Sequence, residues 1–209
     1  MKGQELGLEQ YRRSVKENKK ASILAAAHKN FLKNGFSRAA MADIAREADV
    51  STATLYKHFG SKEELFAFTV SETYGPLNDE FNDIKPTGNA REVLYKLMNA
   101  FLAFQFEKQV IALMRIVIAE VPTAPEVAIN AYNSIIIRRY AQLASIADNL
   151  MERKLLKPHD TKLSIMLLIG MIREVLVWPA LFDANVTLPA NADAVIYEAV
   201  DNYLARYGA

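Results

Sequence analysis

The sequence predicts an all-α protein of about nine helices, with a three-helix helix-turn-helix domain at its N-terminus and a larger helical domain after it. Three observations carry this. Apolar residues recur at helical spacing in nearly every segment. There is no strongly alternating strand run and no hairpin of the Asn-Gly or Asp-Gly kind. Helix breakers fall at Asn34-Gly35, Gly60, Gly75-Pro76, Pro86 to Asn89, Val121 to Pro125, Lys157-Pro158 and Leu188 to Asn191, leaving windows of helical length between them.

The first helix is expected from near Tyr11 to Asn34, with Ile23, Leu24, Ala27, Phe31 and Leu32 as its apolar stripe. Gly35 suits its C-terminal cap, because glycine accepts a left-handed conformation. A second, short helix spans about Met41 to Ala48 and turns Met41, Ile44, Ala45 and Ala48 inward. Asp49 and Val50 form a tight turn. Ser51 opens a third helix, about Thr52 to Phe59, whose inward pair is Leu55 and Phe59. Ser61-Lys62-Glu63-Glu64 is a capping box for a fourth helix. Longer and more apolar helices follow near Arg91 to Phe106, Lys108 to Glu120, Pro125 to Arg153, Thr161 to Trp178 and Ala192 to Arg206. The domains are therefore 1–66 and 67–209, with the boundary along the fourth helix near Gly75-Pro76.

With 209 residues, 51% of them hydrophobic, the chain has material for one sizeable core or two modest ones. The absence of cysteine excludes disulfides and thiolate metal sites. The N-terminus, MKGQELGLEQY, lacks the apolar run of a secretory leader. The longest purely apolar run of the C-terminal half, Ile165 to Ile172 with one glycine, falls short of the roughly 20 residues that span a bilayer. A soluble cytoplasmic protein without membrane or cofactor is expected. Its net charge of +1 is uneven. Residues 1–62 hold 12 Lys and Arg against six Asp and Glu, and residues 63–209 hold 13 against 18. A basic first third implies a polyanionic partner for that third, or a merely solvated basic face.

Two short helices joined by a tight turn form a helix-turn-helix, whose second helix fits the DNA major groove. With Leu55 and Phe59 buried, that helix exposes Thr52, Ala53, Tyr56 and Lys57. Thr52 can exchange hydrogen bonds with a base edge, and the Ala53 methyl can meet a thymine methyl. Ser51, Thr54, Lys57, His58 and Lys62 complete the candidate DNA-binding set, Lys57 and Lys62 as phosphate neutralisers. Blander readings stand beside these: a half-buried amphipathic Tyr56, a structural His58, solvated lysines. Arg12, Arg13, Lys16, Lys19 and Lys20 form either an arm over the minor groove or a solvated leader.

Residues 23–70 resemble the TetR family of bacterial transcriptional regulators. The resemblance lies in Phe31, Gly35-Phe36, Met41, Asp43-Ile44-Ala45, Ala48, Val50-Ser51, Leu55-Tyr56, His58-Phe59, Lys62 and Leu65. The string TLYKHF followed by SKEEL carries most of its specificity. Arg115 to Glu126, RIVIAEVPTAPE, resembles the AefR-like members. Four positions depart from the family. Ala39 and Ala40 stand where Ser or Thr often caps the second helix, at a cost of about 1 kcal/mol unless Ser37 substitutes. Asp49 stands where glycine often turns the chain, and Ala42 stands at an often basic position.

The resemblance implies a repressor that binds a palindromic double-stranded operator as a homodimer, released by a small-molecule effector. It also implies that Tyr56 and His58 lie near the DNA backbone. Phe101, Phe104, Met114, Arg115, Glu120, Tyr132, Met166, Arg173 and Trp178 are the candidate ligand pocket. Arg115, Glu120, Arg173 and Glu174 interrupt apolar helices, so they either pair with one another or serve a ligand. The candidate dimer interface is Leu163, Met166, Leu167, Gly170 and Met171 on one helix, and Val195, Ile196, Val200 and Leu204 on the last. The alternative is a helical ligand-binding or interaction protein with a decayed DNA head. An enzyme has little support: three histidines, no phosphate-binding glycine loop and no nucleophile elbow.

Overall fold

The sequence breaks at Gly60, Val121 to Pro125, Lys157-Pro158 and Leu188 to Asn191 fall between helices, and the one at Asn34-Gly35 shows as a non-helical Gly35 inside the first helix. The computed structural model describes residues 2–74 and 88–209, so the expected breaks at Gly75-Pro76 and Pro86, and the side chains of Arg12 and Arg13, lie outside the described residues. The helices are α1 (Lys2–Arg38), α2 (Met41–Glu47), α3 (Thr52–His58), α4 (Lys62–Tyr74), α5 (Ala90–Gln105), α6 (Lys108–Ala119), α7 (Pro125–Tyr132), α8 (Arg138–Glu152), α9 (Thr161–Ile172), α10 (Trp178–Ala180) and α11 (Ala192–Tyr207). No strand occurs among the described residues; one isolated antiparallel bridge joins Leu156 to Gly208. Two continuous helices expected from the sequence are each interrupted by a wider turn. A π-turn, π1 (Asn133–Ile137), joins α7 to α8, and π2 (Arg173–Val177) joins α9 to α10.

The chain divides into two units, Met1–Glu72 with Ile116–Ala131, and Thr73–Arg115 with Tyr132–Ala209. The sequence division set 1–66 apart from 67–209, whereas the first unit runs to Glu72 and also takes in residues 116–131. In the first unit, Ile23, Ala27, Phe31, Ile44, Leu55, Phe59 and Leu65 are fully or almost fully buried. Phe31, Phe36 and Phe66 meet ring to ring at 5.0–6.2 Å, within the range where aromatic pairs add to burial.

In the second unit the core is built from Leu94, Leu97 and Met98 of α5, Leu143 and Leu150 of α8, Ile165, Leu168 and Ile172 of α9, and Ile196 and Val200 of α11. His159 fastens one edge of it. Its Nε2 lies 2.9 Å from Ser164 Oγ and 3.1 Å from Tyr203 Oη, and its ring stacks on Tyr207 at 4.1 Å. Ser164 is fully buried, so this Ser–His–Tyr cluster holds two helices and a loop together and offers no nucleophile to a substrate.

The reading of membrane-spanning length needs a correction. Because π2 keeps the chain helical past Arg173 and Glu174, the run Thr161–Ala180 is 20 residues long with mean hydropathy 1.7. By length and composition alone it would cross a bilayer, but one face of it is packed into the core.

Candidate nucleic-acid interface and effector cavity

α3 owes its position to the turn before it. Val50 N–H donates to Ala45 O (3.0 Å) and Asp49 N–H to Arg46 O (3.3 Å), the paired bonds of a Schellman motif. That motif needs a left-handed residue, and Asp49 supplies it at φ 54°. Ser51 then caps α3. Its Oγ accepts from Thr54 N–H at 3.1 Å and lies 2.8 Å from Thr54 Oγ1. Both hydroxyls are therefore engaged with each other at the helix start. Leu55 and Phe59 are fully buried, while Thr52, Ala53, Tyr56 and Lys57 are exposed on the opposite side. The polar face expected from the sequence is the one that α3 presents.

His58 is half-buried at the end of α3. Burial first, then the positive charges of Lys16, Lys19, Lys57 and Lys20, hold its imidazole below the usual value. Those lysines of α1 therefore act electrostatically on the same helix end. Lys20 also lies over the Phe68 ring, 4.5 Å from its centroid.

Lys62 is placed differently from the free phosphate neutraliser that the sequence implied. Its ammonium donates to Ser37 O (3.1 Å) and Ala39 O (3.2 Å) and sits 4.6 Å from the Phe36 ring centroid. It closes the turn between α1 and α2. Ala40, the N-cap residue of α2, makes no side-chain cap bond. Ser37 does not replace it, because its hydroxyl is engaged with Glu120 and Thr123.

Glu120 organises this turn. Gly35 adopts φ 75°, where a Cβ would be strained and would also come within 3.1 Å of the Glu120 carboxylate. Beyond it, Phe36 N–H and Ser37 N–H donate to Glu120 Oε1 at 2.9 and 3.0 Å. The hydroxyls of Ser37 and Thr123 donate to Oε2. Burial alone would raise the Glu120 pKa, but the bonds from Ser37, Thr123 and Phe36 outweigh it and hold the carboxyl below its usual value.

The expected pairing of Arg115, Glu120, Arg173 and Glu174 with one another does not occur in the described contacts. Arg115 donates to the backbone oxygens of Leu181 (2.8 Å), Ala180 (2.9 Å) and Asp183, closing the end of α10. Arg173 donates to Tyr140 Oη at 2.8 Å.

A narrow cavity of about 10 Å³, room for about one water, lies within the second unit, lined by Phe101, Phe104, Gln105, Ile136, Arg139, Tyr140 and Arg173. Of the predicted pocket it gathers Phe101, Phe104 and Arg173. Met114 packs instead against Ile111, Ala180 and Leu181. Glu120 belongs to the turn beyond Gly35, and Tyr132, Met166 and Trp178 are exposed. Sequence reasoning missed Gln105, Ile136, Arg139 and Tyr140. An arginine pair at 138 and 139 within an apolar stretch was the available signal.

The residues named for the interface divide by exposure. Leu163, Met166, Leu167, Gly170 and Met171 lie exposed along α9, and the stripe continues through Val175, Trp178 and Phe182, the last 78% exposed. Ile196 and Val200 are instead fully buried core residues, and Val195 and Leu204 are partly buried. α11 turns those side chains inward to close its own unit's core.

Comparison with known proteins agrees with this geometry. The family model described as bacterial regulatory proteins of the tetR family matches residues 23–67. The model of the AefR-like transcriptional repressor C-terminal domain matches residues 92–209. The HTH-type transcriptional regulator TtgR of Pseudomonas putida is 33% identical over 86 residues, 38% of this chain and 41% of that protein. The alignment thus reaches about two-fifths of the curated relative's length. A solved TetR-family regulator from Mesorhizobium loti MAFF303099 superposes with TM-score 0.82 at 27% identity, covering 93% of this chain and 98% of that one. The flavonoid-responsive regulator FrrA superposes with TM-score 0.79 at 25% identity, covering 91% and 97%.

Proposed function

Because the chain belongs to the TetR family of transcriptional regulators and carries its DNA-binding domain, we propose that it is a cytoplasmic repressor. It binds a near-palindromic operator as a homodimer and is released by a small molecule held in its second unit. Members of the family are regulators, not enzymes. The observation that carries the reading is the face of α3: Thr52, Ala53, Tyr56 and Lys57 outward, Leu55 and Phe59 inward. Thr52 and Ala53 would meet base edges, while Tyr56, Lys57 and His58 would meet the backbone, with Lys16, Lys19 and Lys20 adding charge. An intact reading face favours this over a decayed head.

The exposed stripe on α9, π2 and α10 supports the dimer, since a contiguous apolar surface of this kind marks an interaction site. A two-fold pair would set two α3 helices about one DNA turn apart or somewhat more. Ligand and operator would then weaken each other reciprocally, provided that the ligand prefers one subunit geometry.

The test is a gel shift on the DNA upstream of the coding sequence, with a salt series. A discrete band that weakens steeply with salt, and that is lost in a Tyr56→Ala, Lys57→Ala variant, is expected. An unshifted operator over genome-wide fragment selection, from protein that is dimeric in light scattering, would return the decayed-head reading to first place.

A further inference from the structure

Among the residues of α3, His58 alone changes charge near neutral pH. It closes the helix directly after Tyr56 and Lys57, and its ring lies 6.5 Å from that of the buried Phe59. Phe59 meets Phe68 of α4 at 5.3 Å, and the Lys20 ammonium of α1 stands 4.5 Å from the centre of the Phe68 ring. This row of rings brings the basic face of α1 to the last turn of α3. Neither ring nitrogen of His58 is hydrogen-bonded among the described residues.

The charges that act most on His58 are positive: Lys57 beside it, and Lys16, Lys19 and Lys20 of α1. Glu17 is the acidic residue in that stretch of α1, and it is exposed. α4 meets this corner through the uncharged Phe68. Burial and the four ammonium groups together hold the imidazole below its ordinary value, so the neutral ring is favoured in the free protein. A DNA phosphate at the end of α3 would change that balance. It offsets the lysines' repulsion and offers an acceptor, and a nearby anion favours the cationic ring. The cationic ring donates from both nitrogens, the neutral ring from one.

We propose that DNA binding takes up a proton at His58, which becomes a charged phosphate contact, so that the protein holds its operator more tightly as pH falls. The lysines then act twice. Before the phosphate arrives they keep His58 uncharged, and afterwards they share the anion with it. The sign follows from linkage: the complex holds more protons than the free protein, so acid favours the complex. This inference rests on the reading of the chain as a DNA-binding regulator and adds a pH sense to its DNA contact.

The test is the affinity of the full-length protein for an operator duplex, and for a random-sequence duplex of the same length, from about pH 8 to about pH 5.5 at constant ionic strength. Operator affinity should rise about three- to tenfold toward the acid end, the effect of displacing the imidazole equilibrium by about 0.5–1 pH unit. His58→Gln, which cannot charge, should lose the rise. His58→Lys, which is always charged, should lose it too, and should bind more tightly than His58→Gln in base. Salt gives a second reading. The slope of log K against log salt should be steeper in acid than in base by up to about 0.9, one further cation, and only with histidine at position 58. Calorimetry of the unaltered protein, in two buffers of different ionisation enthalpy, should show proton uptake on binding whether or not a variant folds.

An affinity that is flat or falls in acid would overturn the proposal. So would a rise that persists unchanged in His58→Gln, or binding without proton uptake. The two readings fail separately. A specific operator bound with no pH dependence keeps the regulator and removes the proton. A rise seen on random duplex, with no operator found in genome-wide selection, keeps the proton and removes the regulator. Binding to neither duplex removes both.

Discussion

The turn beyond Gly35 and the cavity beside Arg173 each take a charge that interrupts an apolar helix, and they use it differently. Glu120 accepts four hydrogen bonds, two from backbone N–H groups and two from hydroxyls, and its carboxylate is saturated. Arg173 has one described partner, Tyr140, at the wall of a cavity that holds a second guanidinium and no carboxylate. The same sequence signal therefore marks a saturated clasp in one unit and a cavity wall with a single described bond in the other. What separates them is the number of partners that the fold supplies.

The largest expected effect is on the clasp. Glu120→Ala strands the N–H groups of Phe36 and Ser37 and should destabilise the protein by about 2–4 kcal/mol in urea unfolding. A loss within about 0.5 kcal/mol, the scale of an ordinary surface change, would mean that the carboxylate is not the organiser of the turn.

Acid should then reveal the charge itself. The folded Glu120 carboxyl is held below its usual 4.5, so its contribution is fully present above that value and fades as pH falls through the lower folded pKa. Glu120→Gln, which keeps one acceptor, should accordingly lie closer to wild type in strong acid than at neutral pH. A gap that stays constant from neutral pH down through strong acid would break the electrostatic half of the comparison.

The two lysines of the DNA-binding unit sharpen it further. Lys57→Ala should flatten the slope of log K against log salt by about 0.9, one phosphate contact, with stability little changed. Lys62→Ala should do the reverse. Its ammonium is held by Ser37 O and Ala39 O, so the cost of about 1 kcal/mol falls on stability, with the slope nearly kept. Equal slopes for the two variants would erase the distinction. The smallest effect is a gain: Ala40→Ser supplies the missing cap of α2 and should stabilise by about 0.5–1 kcal/mol in the same unfolding assay.

The helices were legible because periodicity and breakers are local. Val121 to Pro125 and Lys157-Pro158 separate helices much as expected, and the Asp49 turn adopts the left-handed conformation expected of it. The face of α3 was legible for the same reason: Leu55 and Phe59 fix its inside, and seven residues leave little freedom for the rest. Partners distant in sequence were not legible. Nothing near Glu120 in the chain announces Phe36 and Ser37, 84 and 83 residues away. Nor does periodicity tell whether Ile196 and Val200 face a neighbouring subunit or their own core, since both uses require the same stripe. The π-turns were not legible because the chain stays helical through them and no residue type signals a wider turn.

The surplus residue of a π-turn has a consequence for how such a protein changes over generations. An α-helix advances about 100° per residue, so losing one residue from π1 would restore a regular helix and swing the flanking segments about a quarter-turn relative to each other. Arg139 and Tyr140 would leave the cavity together, without any substitution at either position. The same deletion in π2 would twist Trp178 and Phe182 away from the line of Leu163 and Leu167, splitting one apolar stripe into two. Insertions and deletions of a single codon, more than point substitutions, would then be the coarse adjustment of the cavity's lining and of the exposed apolar stripe.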